Sequence, residues 1–227
     1  TTKTIDWLNA LNRKGLFVYS FYLAYKEWQK QAFKVAQQLV KENKYDLIHY
    51  LNPIGYREAG YLWKLDLPYL WGPIGGLCNY PWRLFDSLTW EDKLKYSIRN
   101  IINTIQLHTS TRVRKAMKRT DLLLVSSTET GAIVRKVFHK DYLYLPENGL
   151  TERPDTNLSH FTSSQDKIRL ACIGTLDGRK NFITLLKALL LVPDRNNLHV
   201  DIVGDGKLRN LLTNFWGFWE DFYLNSA

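Results

Sequence analysis

The sequence is poor in several features that identify common kinds of site. Two cysteines, Cys78 and Cys172, occur in 227 residues, without any CxxC pair or Cys/His cluster. Zinc and dithiol redox sites therefore have no support. A DxD pair of aspartates is also missing, so we expect no metal and no bound cofactor. Both cysteines are expected to be small core residues of a reduced, cytoplasmic protein.

Long hydrophobic runs are missing as well. The longest uncharged stretch of aromatic and apolar residues covers residues 16–25, whereas a membrane-spanning helix needs about 20 residues. We therefore expect no transmembrane helix. A content of 45% hydrophobic and 23% charged residues is typical of globular chains, which excludes a disordered tail or a fibre.

Acidic residues are absent from one long segment. The chain carries 31 Lys+Arg against 22 Asp+Glu, a formal charge of +9. Most of the excess precedes residue 156, and every charged residue between Lys93 and Thr120 is basic. Such asymmetry suggests a charged partner for that part of the chain. Nucleic acid is not expected, because no helix-turn-helix, RNP or zinc-finger pattern is present.

The same segment predicts a long amphipathic helix that starts near Thr89. Apolar residues recur at helical spacing from Leu94 to Ile105 and again from Val113 to Met117. Two interpretations stay open. The apolar stripe faces the core and the basic face is solvated, or the basic amphipathic face lies on anionic lipid at the inner face of the plasma membrane. The candidate membrane-facing residues are Arg112, Arg114, Lys115, Lys118 and Arg119.

Short apolar strands alternate with helices along the chain. The pattern predicts strands at residues 45–50, 68–71, 121–125, 142–145, 168–173 and 199–203, with helices between most of them. This order is typical of an α/β fold with doubly wound parallel sheets and helices on both faces.

A polar segment rich in Ser and Thr interrupts the pattern. We therefore predict a first Rossmann-like domain over residues 1–150, a linker over 151–166 and a second such domain over 167–227. An open α/β sheet usually begins with a strand and a Gly-rich turn, whereas this chain begins with a helix. Both domains are accordingly expected to be incomplete, as in a fragment.

Ligands of open α/β sheets bind outside the carboxyl ends of the strands. In the first domain these places hold a lone histidine, a pair of glycines and a Glu-Asn-Gly turn. The histidine suits a general base, a ligand for a sugar hydroxyl or a structural role, and the glycines allow close backbone approach to a ligand. The candidate residues on this side are His49, Asn52, Gly75, Gly76, Glu147 and Asn148.

In the second domain, residues 174–181 join a predicted strand to a helix. Free amides at a helix start can hold a phosphate, and Arg179 and Lys180 add two cations suited to a diphosphate. A solvated charged turn is the alternative. The loop is not a P-loop, because the GK[ST] ending is missing.

The sequence resembles the family-4-type retaining glycosyltransferases. The segments GTLDGRKNF and VDIVGDGKLRNLL resemble the donor-site region of that family. Upstream, YDLIHYLNP, LPYLWGPIGG, RTDLLLVSS and LPENGL resemble a branch that acts in bacterial polysaccharide and lipopolysaccharide assembly. The six segments occur in the family's order between Trp28 and Leu212. The resemblance implies the GT-B architecture, in which two Rossmann-like domains border a cleft.

The resemblance also implies roles for matching residues. Lys180 corresponds to the lysine that holds the donor diphosphate, and Gly174 belongs to the same turn. Gly75 and Gly76 would line the cleft from the acceptor domain. Thr175 stands where the family usually has an arginine, a place that Arg179 is a candidate to fill. A further turn on the donor side consists of Gly204, Asp205 and Gly206.

The implied activity is transfer of a sugar from a nucleotide-diphosphate-sugar donor to a lipid-linked or polysaccharide acceptor, without metal. No catalytic residue is identified. The family's Glu-x7-Glu motif is missing, since Glu220 is the only glutamate after Glu152. The alternative is therefore a non-catalytic Rossmann-like module that binds nucleotides or an anionic membrane surface.

Overall fold

The computed structural model describes residues 2–14, 20–51, 55–149, 151–152, 168–193, 197–216 and 222–225. The chain divides into two compact units. The first unit comprises Thr1–Asn79 and Ile101–Thr151, and the second comprises Tyr80–Asn100 and Glu152–Ala227. The sequence pattern places residues 80–100 in the first domain, whereas the structure groups them with the second unit. Asn52 and residues 153–166 of the expected linker lie outside the described residues.

The first unit contains a four-stranded sheet. Its strands β1 (Ile48–Tyr50), β2 (Tyr69–Ile74), β3 (Leu122–Val125) and β4 (Leu143–Tyr144) are parallel and neighbours in that order. The helices are α1 (Lys3–Arg13), α2 (Ser20–Glu42), α3 (Trp90–Thr109), α4 (Thr111–Arg119) and α5 (Thr128–Phe138), and the first half of α3 belongs to the second unit.

Burial explains why the apolar runs of the first unit form strands. Trp71 and Ile74 of β2 and Leu123 and Val125 of β3 are fully buried. They form one core with apolar residues of α4 and α5, among them Met117. A parallel sheet covered by helices has strands of this kind.

The second unit contains a three-stranded parallel sheet. Strands β5 (Ile168–Ile173), β6 (Leu198–Val203) and β7 (Phe222–Asn225) are neighbours in that order. Helix α6 (Phe182–Leu190) connects β5 to β6, and α7 (Arg209–Trp216) follows β6. A 3₁₀ segment, Trp82–Ser87, precedes α3.

The expected α/β fold with two separate parallel sheets is confirmed. Two elements differ from the sequence prediction. Strand β7 was not expected, and the long basic helix is two helices that meet at Ser110. The Ser110 side chain accepts a bond from the Val113 amide at 3.5 Å, so this serine ends one helix and caps the next.

Helix α3 has the reverse of the expected orientation. Its apolar stripe is between 42% and 56% exposed and consists of Leu94, Ile98, Ile101, Ile102 and Ile105. Besides Tyr96 and Leu107, the buried residues of α3 include the polar Asp92, Asn100 and Asn103. The core-facing interpretation is therefore wrong for this stripe, although it holds for Val113, Ala116 and Met117 of α4, which are buried.

The polar face of α3 is buried because it bonds irregular backbone. The Asn100 side chain accepts from the Tyr80 amide at 2.9 Å and donates to the Tyr80 carbonyl at 2.8 Å. The Asn103 amide group donates to the Leu77 carbonyl at 2.8 Å. Buried backbone groups need such partners, and apolar side chains could not supply them.

In the described part of the chain, no helix combines the length and the apolar character needed to cross a bilayer.

Candidate functional site

The loops that follow β5 and β6 lie directly against each other. The Leu176 amide donates to the Asp205 carbonyl at 2.9 Å, and the Leu208 amide donates to the Leu176 carbonyl at 3.0 Å. A Cβ on Gly204 would stand 2.0 Å from the Gly174 carbonyl oxygen, and one on Gly206 would stand 2.5 Å from that of Leu176. Both positions therefore require glycine. The two glycine turns that the sequence singled out form one surface at the carboxyl ends of two neighbouring strands.

Lys180 lies across the beginning of this surface. Carbons of its side chain are 3.6–3.8 Å from the point where a Cβ on Gly174 would stand. The residue is exposed, and a lysine with its stem packed along a loop keeps its ammonium in water. The arrangement offers one cation next to the glycine turns, which suits a phosphate group.

Asp177 organises the turn that carries the two cations. Its Oδ1 accepts from the Arg179 amide at 3.0 Å and from the Lys180 amide at 3.2 Å. Its Oδ2 lies 3.8 Å from the Arg179 guanidinium. The amides of Arg179 and Lys180 are thus already bonded within the turn. The side chains of these residues remain exposed.

Two further donor-side candidates are also exposed. Thr175 is exposed beside Gly174, so the place where the family usually has an arginine holds an uncharged side chain. Asp205 is exposed and its Oδ1 accepts from the Gly206 amide at 2.8 Å. That bond stabilises the second glycine turn.

In the first unit, residues from three strand ends come together. A Cβ on Gly75 would stand 3.0 Å from the Ser126 hydroxyl and 3.2 Å from Glu147 Oε1. Gly75 follows β2, Ser126 follows β3 and Glu147 follows β4. A carboxylate and a hydroxyl at one place can bind the hydroxyl groups of a sugar. The sequence analysis did not identify Ser126, because a single serine after a strand has no distinguishing pattern.

The other described candidates of the first unit are exposed. His49 is exposed at the end of β1, and its Nε2 lies 3.0 Å from the Gly72 carbonyl oxygen. Gly76 is exposed with φ +77°, and no atom lies within 4 Å of its Cβ position. Asn148 is exposed.

The five candidate membrane-facing residues have different surroundings. Arg112 donates to Glu58 at 2.9 Å, in a pair whose side chains are only 22% and 9% exposed. Arg119 donates to Asp121 and to the Leu67 carbonyl, both at 3.2 Å. Of the five, Arg114, Lys115 and Lys118 are exposed.

The sequence analysis missed a buried carboxylate beside the donor-side loops. Asp92, at the start of α3, is 1% exposed, and its Oδ1 accepts from Lys207 Nζ at 2.5 Å. The Asp92 amide donates to Thr89 Oγ1 at 3.3 Å, so Thr89 caps the first turn of α3, near the helix start that the sequence predicts. Lys207 could have been identified as a candidate from the sequence, because it directly follows the turn of Gly204, Asp205 and Gly206.

Among the described residues, no three or more His, Cys, Asp or Glu side chains are grouped so that they could hold a metal ion.

The chain is similar to the crystal structure of WaaG, a glycosyltransferase involved in lipopolysaccharide biosynthesis. The identity is 17% and the TM-score 0.41, over 85% of this chain and 51% of that chain. This chain therefore spans about half the length of that solved structure. No protein-family model matches the sequence, and no curated protein matches it.

Proposed function

We propose that the chain is part of a glycosyltransferase of the family-4 type with GT-B architecture. It would take a sugar from a nucleotide-diphosphate-sugar donor and pass it to a lipid-linked or polysaccharide acceptor in cell-surface glycan synthesis. The observation that carries this proposal is the contact of Lys180 with Gly174, beside the Gly204 and Gly206 turn. The ordered sequence segments support the same activity.

The proposed chemistry depends on negative charge that develops on the leaving diphosphate. When the bond between the anomeric carbon and the diphosphate oxygen breaks, the electron pair stays on that oxygen. A cation held in place beside it stabilises the transition state more than the ground state. Lys180 supplies this cation, and Arg179 is the candidate for a second. The acceptor hydroxyl oxygen forms the new bond to the anomeric carbon, and its proton passes to the departing diphosphate oxygen. The candidate acceptor-side residues are Gly75, Ser126 and Glu147.

Isothermal titration of this chain with UDP and GDP tests the donor site. Weak binding is expected, with a dissociation constant on the order of 1 mM, because the Glu-x7-Glu residues that hold sugar and nucleotide are missing. Lys180→Ala should weaken binding by about one to two orders of magnitude, since a hydrogen bond to a charged group contributes about 1.5–3 kcal/mol.

Lys187→Ala is the matched control, because Lys187 is an exposed lysine of α6, the helix that follows the same loop. Its affinity should equal that of the native chain. Binding that is unaffected by Lys180→Ala would locate the nucleotide on another loop. Binding of UDP or GDP without sugar transfer from UDP- or GDP-sugars would favour the non-catalytic module.

A second proposal is attachment to an anionic membrane surface, which the exposed stripe of α3 favours. Ile101, Ile102 and Ile105 are exposed on a helix followed by the exposed cations Arg114, Lys115 and Lys118. Apolar and basic side chains together suit the boundary between acyl chains and anionic headgroups. An acceptor carried on a lipid would be reached at the same surface.

Flotation with vesicles of phosphatidylglycerol and phosphatidylcholine tests this attachment. Replacing Arg114, Lys115 and Lys118 by Gln should weaken binding by about two orders of magnitude, at about 1 kcal/mol per basic group. Replacing Lys34 and Lys41 of α2, which are also exposed, should have a much smaller effect. Binding to pure phosphatidylcholine at equal strength, or binding indifferent to salt, would contradict the proposal.

A further inference from the structure

Residues Tyr80–Asn100 contact both donor-side loops of the second unit. The Tyr80 hydroxyl donates to the Gly178 carbonyl at 3.3 Å, and the Ser87 hydroxyl bonds the Asn181 side chain at 2.6 Å. Tyr80 itself is fixed by stacking on Tyr96, with ring centroids 4.5 Å apart. The loop that carries Lys180 is thus bonded from a segment far away in sequence.

Among the described residues of Tyr80–Asn100, Asp92 is the only charged residue that is buried. Its Oδ1 accepts from Lys207, which follows the Gly204 and Gly206 turn. Its Oδ2 is buried, has no hydrogen-bond partner among the described residues, and lies 2.6 Å from the Cβ position of Gly178. One carboxylate therefore holds the loop after β6 with one oxygen and touches the loop after β5 with the other.

The Asp92 carboxylate is buried, and one of its two oxygens has no hydrogen-bond partner among the described residues. A buried charge is costly unless it is paired and fully hydrogen-bonded, and a hydrophobic side chain of similar size is often at least as stabilising. Lys207 is about half exposed and bonds only Oδ1. Hydrogen bonding to Asp92 raises the pKa of Lys207, so the lysine stays charged at neutral pH.

We infer that Asp92 is a positioning residue of the donor site, which acts through Lys207 and Gly178 to hold the two glycine loops in register. The inference rests on the proposed function, because it assigns the pair a role in placing Lys180 against a diphosphate. Displacements of about 1 Å in a positioned group are enough to weaken its contribution strongly.

A double-mutant cycle on Asp92 and Lys207 separates positioning from stability. Lys207→Met leaves the buried carboxylate unpaired, so the melting temperature should fall by several degrees. Asp92→Asn leaves a neutral amide, and Lys207 can reach water, so the melting temperature should change little. The double variant should regain the stability that Lys207→Met loses.

Loop order and ligand affinity should follow a different pattern. In Asp92→Asn and in the double variant, amide hydrogen exchange at residues 174–181 and 204–208 should rise about tenfold. Affinity for UDP should fall at least about fivefold. Asp86→Asn, an exposed aspartate of the same segment, should change neither quantity. Affinity that merely tracks melting temperature across the cycle would overturn the inference.

The exchange measurement separates the inference from the proposed function. If the native chain binds neither UDP nor GDP, the donor-site proposal fails, and exchange in the two loops still decides whether Asp92 holds them. Faster exchange confined to these loops in Asp92→Asn supports the positioning role. Unchanged exchange in both loops overturns it, whatever the nucleotide titration gives.

Discussion

Arg112 and Glu58 form a buried ion pair in the first unit. Besides the bond to Glu58, Arg112 donates to the Arg57 carbonyl at 2.9 Å, so it fixes the loop before β2 against α4. Burial raises the pKa of the Glu58 carboxyl, and the Arg112 guanidinium opposes that rise. Arg112 therefore has a structural role in this pair, although it is one of the five candidate membrane-facing residues.

Arg112→Met should destabilise the first unit by about 3 kcal/mol at neutral pH, because it leaves the Glu58 carboxylate buried without a partner. Urea unfolding followed by tryptophan fluorescence measures the change. Lys115→Met, in the same helix but exposed, should stay within about 0.5 kcal/mol. Equal effects of the two variants would mean that the Arg112 pair contributes nothing.

The cost of Arg112→Met should depend on pH. The pKa of folded Glu58 is raised, so the neutral carboxyl stabilises the fold below the ordinary pKa, and this contribution is lost as pH rises through the raised value. Without Arg112 the pKa rises further. The difference between variant and native chain should therefore shrink from neutral pH to about pH 4, and a difference independent of pH would exclude Glu58 as its cause.

At the scale of the element, α3 shows that amphipathic spacing identifies two faces but not which one is buried. Asn103 is 2% exposed, its Oδ1 accepts from Tyr56 and Arg57, and its amide group donates to Leu77 and Asn79. Ile105 is 55% exposed on the opposite face. The polar face stabilises the fold, and the apolar face is exposed.

Asn103→Ala should cost about 2 kcal/mol, because buried groups lose their hydrogen-bond partner. Ile105→Gln should change the free energy of unfolding by less than about 0.5 kcal/mol. Chemical unfolding of both variants measures the two changes in the free energy of unfolding. An apolar face packed against the protein would give the reverse order, with a larger loss for Ile105→Gln.

The same helix explains what the sequence could and could not predict. Six strands were predictable because each is a short apolar run between turns, as for Trp71 and Leu123, and the glycine turns followed from their place after strands. Which face of α3 is buried could not be predicted, because it depends on hydrogen bonds to the backbone of residues 77–80. The bond between Asp92 and Lys207 joins residues 115 positions apart, and no local pattern encodes such a pair.

At the scale of the whole molecule, each unit has its own hydrophobic core. Leu123 is fully buried in the first core and Leu212 in the second. The second unit is discontinuous in sequence, since Tyr80–Asn100 belongs to it together with Glu152–Ala227. Separate cores are the condition for units that open independently.

Leu→Ala substitutions in the two cores test this independence, each at a cost of about 3 kcal/mol. Leu123→Ala should accelerate amide exchange in β2 and β3 and leave β5 and β6 unchanged, because only the first core loses packing. Leu212→Ala should do the opposite, and it should also accelerate exchange in residues 90–100 of α3, which belong to the second unit. Exchange mass spectrometry resolves these segments. Acceleration of exchange in all four strands by either variant would mean that the chain unfolds as one cooperative body. If exchange in residues 90–100 is accelerated by Leu123→Ala and not by Leu212→Ala, that segment belongs to the first domain, where the sequence pattern places it.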